Sequence, residues 1–232
     1  MSTENLPSDP LPELPDDALG PIVREKVFIE DRTIVIDKPS ESDRLLDHPA
    51  VRSAFAVDEY MPYWADLWPA SRMLAKIILR ESWPAGLEAL EIGCGLGLPG
   101  IAALMQGLRV TFSDYDPNAL RFAANNARLN GFDQFRLLQL DWRQPPEDLR
   151  LPVLLGSDLV YELRNVEPLA NLIRRLLAPD GICLLTDLER VPAQVMRAAL
   201  TQAGLAFTTE LVRAGEPGGR RFKGTLYRIR QA

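Results

Sequence analysis

The stretch Leu90-Glu91-Ile92-Gly93-Cys94-Gly95-Leu96-Gly97-Leu98-Pro99-Gly100 carries the densest chemical signal in the chain. An apolar run (Leu87, Ala89, Leu90, Ile92) has the composition of a buried strand, and alternating glycines follow it at once. Pro99 suits the first turn of a helix, where its missing N–H has no partner to lose. A strand that turns on glycines into a helix N-terminus brings backbone close to a ligand and aims N–H groups at it. That is the chemistry of holding a nucleotide-like cofactor. Farther on, Gly156-Ser157-Asp158-Leu159-Val160-Tyr161 closes a second apolar run with an acid and an aromatic. A carboxylate orients and attracts a cationic amine, and an aromatic face adds cation–π attraction.

Two cofactor readings fit the glycines. Gly95-x-Gly97-x-x-Gly100 matches a dinucleotide fingerprint, with Asp114 at the distance of a ribose-holding acid. Glu91-x-Gly93-x-Gly95-x-Gly97 matches the acid-led loop of S-adenosylmethionine-dependent methyltransferases. A tight turn that binds nothing is the third reading. The elements around the loop decide among them.

Residues 1–21 hold Pro7, Pro10, Pro12, Pro15 and Pro21 among acids and small residues, which predicts a disordered or loosely draped arm. Residues 22–232 then form one domain, with a hairpin and helices over 22–85 and a cofactor-binding core over 86–232. Val23, Val27, Ile29, Ile34 and Ile36 alternate with polar residues around Glu30-Asp31-Arg32 and predict the hairpin. Residues 42–60 read as mixed helix and loop, and Met73, Leu74, Ile77 and Ile78 predict a helix over 70–80. From Leu87 the pattern alternates. Strands are expected at 87–92, 108–113, 135–140, 152–158 and 181–186, and helices near 98–106, 117–129, 165–177 and 191–203. Such alternation implies an α/β fold, a Rossmann-like parallel sheet with helices on both faces. Two further apolar runs, 206–213 and 222–229, flank the turn-rich Gly215–Gly219 and make a closing hairpin with an antiparallel last strand. A dinucleotide-binding dehydrogenase needs another βαβ unit or a substrate domain instead, so the tail favours S-adenosylmethionine.

In such a sheet the ligand lies across the carboxyl ends of the strands. The first strand delivers Gly93-Cys94-Gly95, suited to the methionine portion of the cofactor, and Glu91, which can reach its amino group, directly or through a water. The second ends at Asp114, able to accept both ribose hydroxyls. Asp116, two residues on, is read as a helix cap. The third ends at Asp141, an acceptor for the adenine amine, and Trp142, a wall for the adenine or else a surface anchor. The fourth ends at Asp158 and Tyr161, nearest the transferable group; capping and packing are their plainer roles. An ammonium, with a pKa of about 10.4 in lysine, must shed its proton before it can attack, so Asp158 is assigned orientation and proton hand-off to water. In Tyr60-Met61-Pro62-Tyr63-Trp64-Ala65-Asp66-Leu67-Trp68-Pro69-Ala70, Tyr60 and Tyr63 are expected in the core, and Trp68 over the cofactor pocket.

Trp68-Pro69-Ala70 before a helix, the acid-led glycine loop, Asp114, the Asp141-Trp142 pair and Asp158-x-x-Tyr161 together resemble the seven-β-strand lysine methyltransferases marked by an Asp-x-x-Tyr motif. The likeness runs from about residue 22 to 230. It implies a class I fold with a seven-stranded, mostly parallel sheet and S-adenosyl-L-methionine as cofactor. It also implies cofactor contacts at Trp68, Gly93, Cys94, Gly95, Asp114, Trp142 and Ser157, with Asp158 and Tyr161 on the acceptor side. Strand four lacks the Asn-Pro-Pro-Tyr of amide- and adenine-modifying branches, and no paired-glutamate loop of the arginine branch is visible.

Composition sets bounds on this reading. A formal charge of −6 disfavours a general nucleic-acid binder. His48 is the sole histidine, and Cys94 and Cys183 lack metal-ligand spacing, so neither a His-based triad nor a metal site is expected. No leader pattern or membrane-length apolar run is visible, which makes the cytoplasm the expected location. The expected activity is N-methylation of a protein lysine by a monomer that contacts neither membrane nor nucleic acid. A small-molecule N-methyltransferase on the same core is the rival, and a cofactor-binding protein without catalysis the third class.

Overall fold

The computed structural model describes residue 11 and residues 13–215 and 219–232; it opens on a helical turn, α1 (Asp16–Leu19). Leu14 and Leu19 are buried in the main core, and the Leu14 N–H donates to Oδ1 of Asn118 at 2.8 Å. Over residues 13–21 this departs from the loose arm expected for 1–21. Among its prolines and acids stand Leu14 and Leu19, each of which gains about 1.5–3 kcal/mol on burial. Residues 1–10 and 12 lie outside the described residues.

The hairpin follows as β1 (Ile22–Ile29) and β2 (Arg32–Pro39), paired antiparallel with Ile29 opposite Arg32. Val27, Ile34 and Ile36 are its fully buried side chains. A 3-10 turn over Ser42–Asp47 and a helix, α2 (Pro49–Asp58), make up the mixed stretch, and α3 (Pro69–Arg80) leads toward the sheet. Then come β3 (Glu88–Ile92), α4 (Leu98–Met105), β4 (Arg109–Asp114), α5 (Pro117–Leu129), β5 (Arg136–Gln139) and β6 (Leu151–Ser157). The chain continues through α6 (Val166–Leu176), β7 (Leu177–Asp187), α7 (Ala193–Gln202), β8 (Leu205–Gly215) and β9 (Arg221–Gln231). Part of the expected closing turn, residues 216–218, lies outside the described residues.

Among the described residues, seven strands form one sheet in the order β5-β4-β3-β6-β7-β9-β8. The strands from β3 to β7 pair in parallel, while β9 runs antiparallel between β7 and β8. The two-residue period of each strand sorts its side chains between two cores. Ala89, Val110, Phe112, Val153 and Leu155 face the side covered by α3, α4 and α5. Leu90, Ile92, Leu154, Cys183 and Leu185 face the side covered by α6 and α7. β7 begins at Leu177 rather than near 181, because the β6–β7 register shifts between Leu151 and Val153 and extends the pairing backward.

Side-chain amides of α5 tie the hairpin to this core. Asn126, fully buried, accepts from the Asp37 N–H at 2.8 Å and donates to the carbonyls of Asp37 and Leu96. The hairpin edge and the glycine loop therefore share one anchor. Among the described residues, no helix is long and apolar enough to cross a membrane.

Candidate active site

Strand order reverses between β3 and β6, and a cavity of about 480 Å³ opens at their carboxyl ends. Its floor is the glycine loop. Gly93 (φ +59°) and Gly95 (φ +50°) are left-handed, and a Cβ on Gly93 would stand 2.7 Å from Cδ2 of Leu159. Cys94 lies between them, its thiol pushed up by burial, so it offers backbone and a neutral sulfur rather than a nucleophile. From the next strand, Asp114 accepts the N–H of Gly95 at 2.9 Å on Oδ2 and that of Asp116 at 3.0 Å on Oδ1. Burial lifts its carboxyl to about 6, against the pull of these N–H groups. Asp116 caps α5 as expected, accepting the N–H of Asn118 at 2.7 Å.

Glu91 stands apart. It does not line the cavity; it is 1% exposed, and its Oε2 accepts the N–H of Gly100 at 2.9 Å in the first turn of α4. Alternation already turned it this way, since Glu91 shares a face with Ala89, which packs toward α3–α5. The contact expected with a cofactor amino group is corrected to a brace behind the loop. Burial holds its carboxyl well above the ordinary range. Asp141 and Trp142 both line the cavity, but the Asp141 carboxylate is shared with Arg143, at 2.9 Å from Nε. Arg143 in turn reaches Asp58 at 2.7 Å, which pins the end of α2 to this wall.

The opposite end is built by β6 and the turn after β7. Ser157 and Asp158 line the cavity with Tyr161 and Trp68. Asp158 is itself left-handed (φ +59°), a conformation costly for a residue with a Cβ, and its N–H is held by the Thr186 carbonyl at 2.8 Å. Its Oδ1 pairs with the guanidinium of Arg190, while Oδ2 is buried and has no hydrogen-bond partner among the described residues. Burial raises the Asp158 carboxyl and Arg190 opposes that rise. Tyr161 meets Tyr63 edge-on, ring centroids 4.8 Å apart, and Trp68 donates Nε1–H to the Tyr63 carbonyl at 2.7 Å.

Tyr63 is not a core residue; Tyr60 packs against the main core as expected but also lines the cavity, as Tyr63 does, and donates its hydroxyl to Asp116. The Tyr60 hydroxyl needs a partner, and Asp116 in the pocket wall supplies one where an apolar interior would not. Arg190 was not among the expected site residues. No motif marks it, and its place follows from the turn at Asp187–Glu189, where Oδ1 of Asp187 accepts the Glu189 N–H.

The lining fits the cofactor expected from the loop. Left-handed glycines leave room that a side chain would fill, Asp114 offers acceptors for a diol, Trp142 offers a flat apolar wall, and a buried carboxylate oxygen waits unpartnered at the far end.

A family model described as lysine methyltransferase matches residues 63–197. A histidine protein methyltransferase 1 homolog of Dictyostelium discoideum is 33% identical over 128 residues, 52% of this chain and 41% of that protein. The histone-arginine methyltransferase METTL23 of Rattus norvegicus is 34% identical over 116 residues, 47% of this chain and 51% of that protein. The matches thus span about half the length of these curated relatives. Among solved structures, TrmN from Thermus thermophilus superposes with a TM-score of 0.56 at 23% identity, over 68% of this chain and 48% of that one. NodS, an N-methyltransferase of Bradyrhizobium japonicum, gives a TM-score of 0.55 at 19% identity, over 68% of this chain and 93% of that one. These likenesses establish the class I methyltransferase fold.

Proposed function

The chain belongs to the lysine methyltransferase family, and from that premise we propose that it transfers a methyl group from S-adenosylmethionine to a side-chain nitrogen of a protein, a lysine first among them. When bound, the cofactor supplies a methyl on a sulfonium, open to attack by a nitrogen lone pair. Asp114 accepts the ribose hydroxyls, Trp142 covers the adenine, and the backbone of Gly93–Gly95 lies against the methionine portion. Ser157 and Trp68 line the passage between cofactor and acceptor. Asp141, already shared with Arg143, holds the adenine wall in place and has acceptor capacity left for the exocyclic amine.

The observation that carries this reading is the buried, half-partnered Asp158 in the same cavity as the glycine loop. Its Oδ2 takes an N–H of the acceptor nitrogen and fixes the direction of the lone pair. Tyr161 and Tyr63 pack beside that nitrogen and exclude water, so alignment supplies most of the rate enhancement. The attacking amine must be neutral. Its proton leaves to water at the mouth of the cavity, with Asp158 orienting rather than keeping it. The chain acts in this reading as a cytoplasmic monomer.

Histidine and arginine are the second reading, supported by what the relatives from Dictyostelium and rat are named for. Incubating the protein with cell extract and methyl-labelled cofactor, then hydrolysing the labelled bands, separates them. Methyl-lysine supports the first reading, while methyl-histidine or methyl-arginine replaces it with the second. Label confined to small molecules returns the small-molecule N-methyltransferase.

A further inference from the structure

The acceptor end proposed above already contains a cation of the chain itself. Arg190 stands between β7 and α7, in a turn fixed on both sides of Glu189. Asp187 accepts the Glu189 N–H, and Thr225 donates its hydroxyl to Glu189 Oε1 at 2.8 Å. From this fixed backbone the side chain reaches back over the strand ends. Its guanidinium pairs with Oδ1 of Asp158 and lies 5.1 Å from the ring centre of Trp68. A carboxylate on one side and an aromatic face on the other are the two groups that bind an alkylammonium. The Arg190 side chain is 39% exposed and that of Asp158 is 2% exposed, so the cation can swing into water while the carboxylate cannot.

We propose that Arg190 is a resident competitor for the charge of Asp158: its guanidinium holds Oδ1 and lies over Trp68 while Oδ2 stays buried, so an acceptor lysine reaching for Oδ2 must displace it before transfer. The inference rests on the lysine reading for its acceptor but not for its geometry. A carboxylate as buried as Asp158 is strongly disfavoured without a counter-charge, and Arg190 supplies one while the site awaits its substrate. Side chains that bring no positive charge, or too short a reach to evict the guanidinium, are kept out. Arg190 thereby determines specificity without touching the cofactor.

The test is an NMR titration of n-butylammonium into the protein saturated with S-adenosylhomocysteine at pH 8.5. Wild type, Arg190→Gln and Arg190→Lys are compared, with thermal melting to confirm folding. Arg190→Gln should bind the amine about fivefold more tightly than wild type, the scale of one partly exposed ion pair no longer broken, and its KM for a protein acceptor should fall alike. Arg190→Lys keeps a competing charge and should stay near wild type. Should Arg190→Gln not fold, Arg190→Met, which keeps the stem over Trp68 and drops the charge, takes its place. Equal or weaker amine binding by the uncharged variant overturns the proposal. A gain in amine binding without any lysine methylation leaves the competitor in place and removes the lysine reading instead. Lysine methylation without that gain does the reverse.

Discussion

The N–H of Gly95 donates to Oδ2 of Asp114 at 2.9 Å, so the tip of β4 holds the glycine loop at the end of β3. One carboxylate thus shapes the floor of the cavity and presents the acceptor atoms assigned to the ribose. Asp114→Ala should weaken S-adenosylhomocysteine binding by about 2–4 kcal/mol, the scale of two charge-assisted hydrogen bonds. Calorimetry reads the change directly, and unaltered affinity in a folded variant refutes the assignment.

The same residue makes binding depend on pH. Burial raises the Asp114 carboxyl from 3.8 to about 6 in the ligand-free protein. Its contribution to the stability of that protein is complete below the unfolded value and lost as pH rises through about 6. If Asp114 accepts the ribose hydroxyls as proposed, cofactor binding runs the other way, because that contact favours the ionised form. Affinity should fall about tenfold per unit below pH 6 and level off above 7. Protons should be released on binding near pH 5.5, and calorimetry in buffers of different ionisation enthalpy measures that release. A flat profile argues against Asp114 as the ribose acceptor.

Glu91→Gln separates a brace from a cofactor contact. The amide oxygen can still accept the Gly100 N–H, so affinity for S-adenosylhomocysteine should stay within about threefold of wild type. A tenfold loss would place the carboxylate in contact with the cofactor after all. Glu91→Ala, which leaves that buried N–H unsatisfied, should cost about 1–3 kcal/mol of stability in chemical denaturation.

Asp158→Ala should abolish most methyl transfer and change cofactor affinity little, since the lost interaction is with the acceptor. Tyr161→Phe should be milder than Tyr161→Ala, because the ring packed against Tyr63 matters more than its hydroxyl. Single-turnover methylation run beside cofactor titration distinguishes these outcomes. Near-normal turnover in Asp158→Ala ends the proposed role of this strand end.

Deleting residues 1–21 removes Leu14 and Leu19 from the core. Melting should drop by about 10 °C, from a loss of roughly 3–5 kcal/mol. An unchanged melting temperature would mean that the two leucines pack without contributing to stability.

The sheet was legible in the sequence because strand and helix periods alternate cleanly from Leu87 to Gln202, and each strand end carries polar residues where its apolar run stops. Leu14 and Leu19 escaped because scattered apolar residues among prolines and acids make no period. Tyr63 was misread for a different reason. Aromatic residues suit a core and a pocket wall equally, and its partner Tyr161 lies far along the chain. The side on which Glu91 lies could have been worked out from alternation, whereas Arg190 could not, since only the turn at Asp187 aims it at Asp158.

The antiparallel β9 sits between β7 and β8, and among the described residues β8 pairs with the sheet only through it. During synthesis β8 emerges before β9, with no partner to join. The sheet therefore stays open at β7 until residues 221–231 leave the ribosome, and its last two strands must dock together. A stall or cleavage before Arg221 exposes the Thr186–Asp187 end of that edge, which leads straight into the turn bearing Arg190. An unfinished chain is then not merely less stable: it carries an open strand for other chains to pair with, beside the turn that holds Arg190.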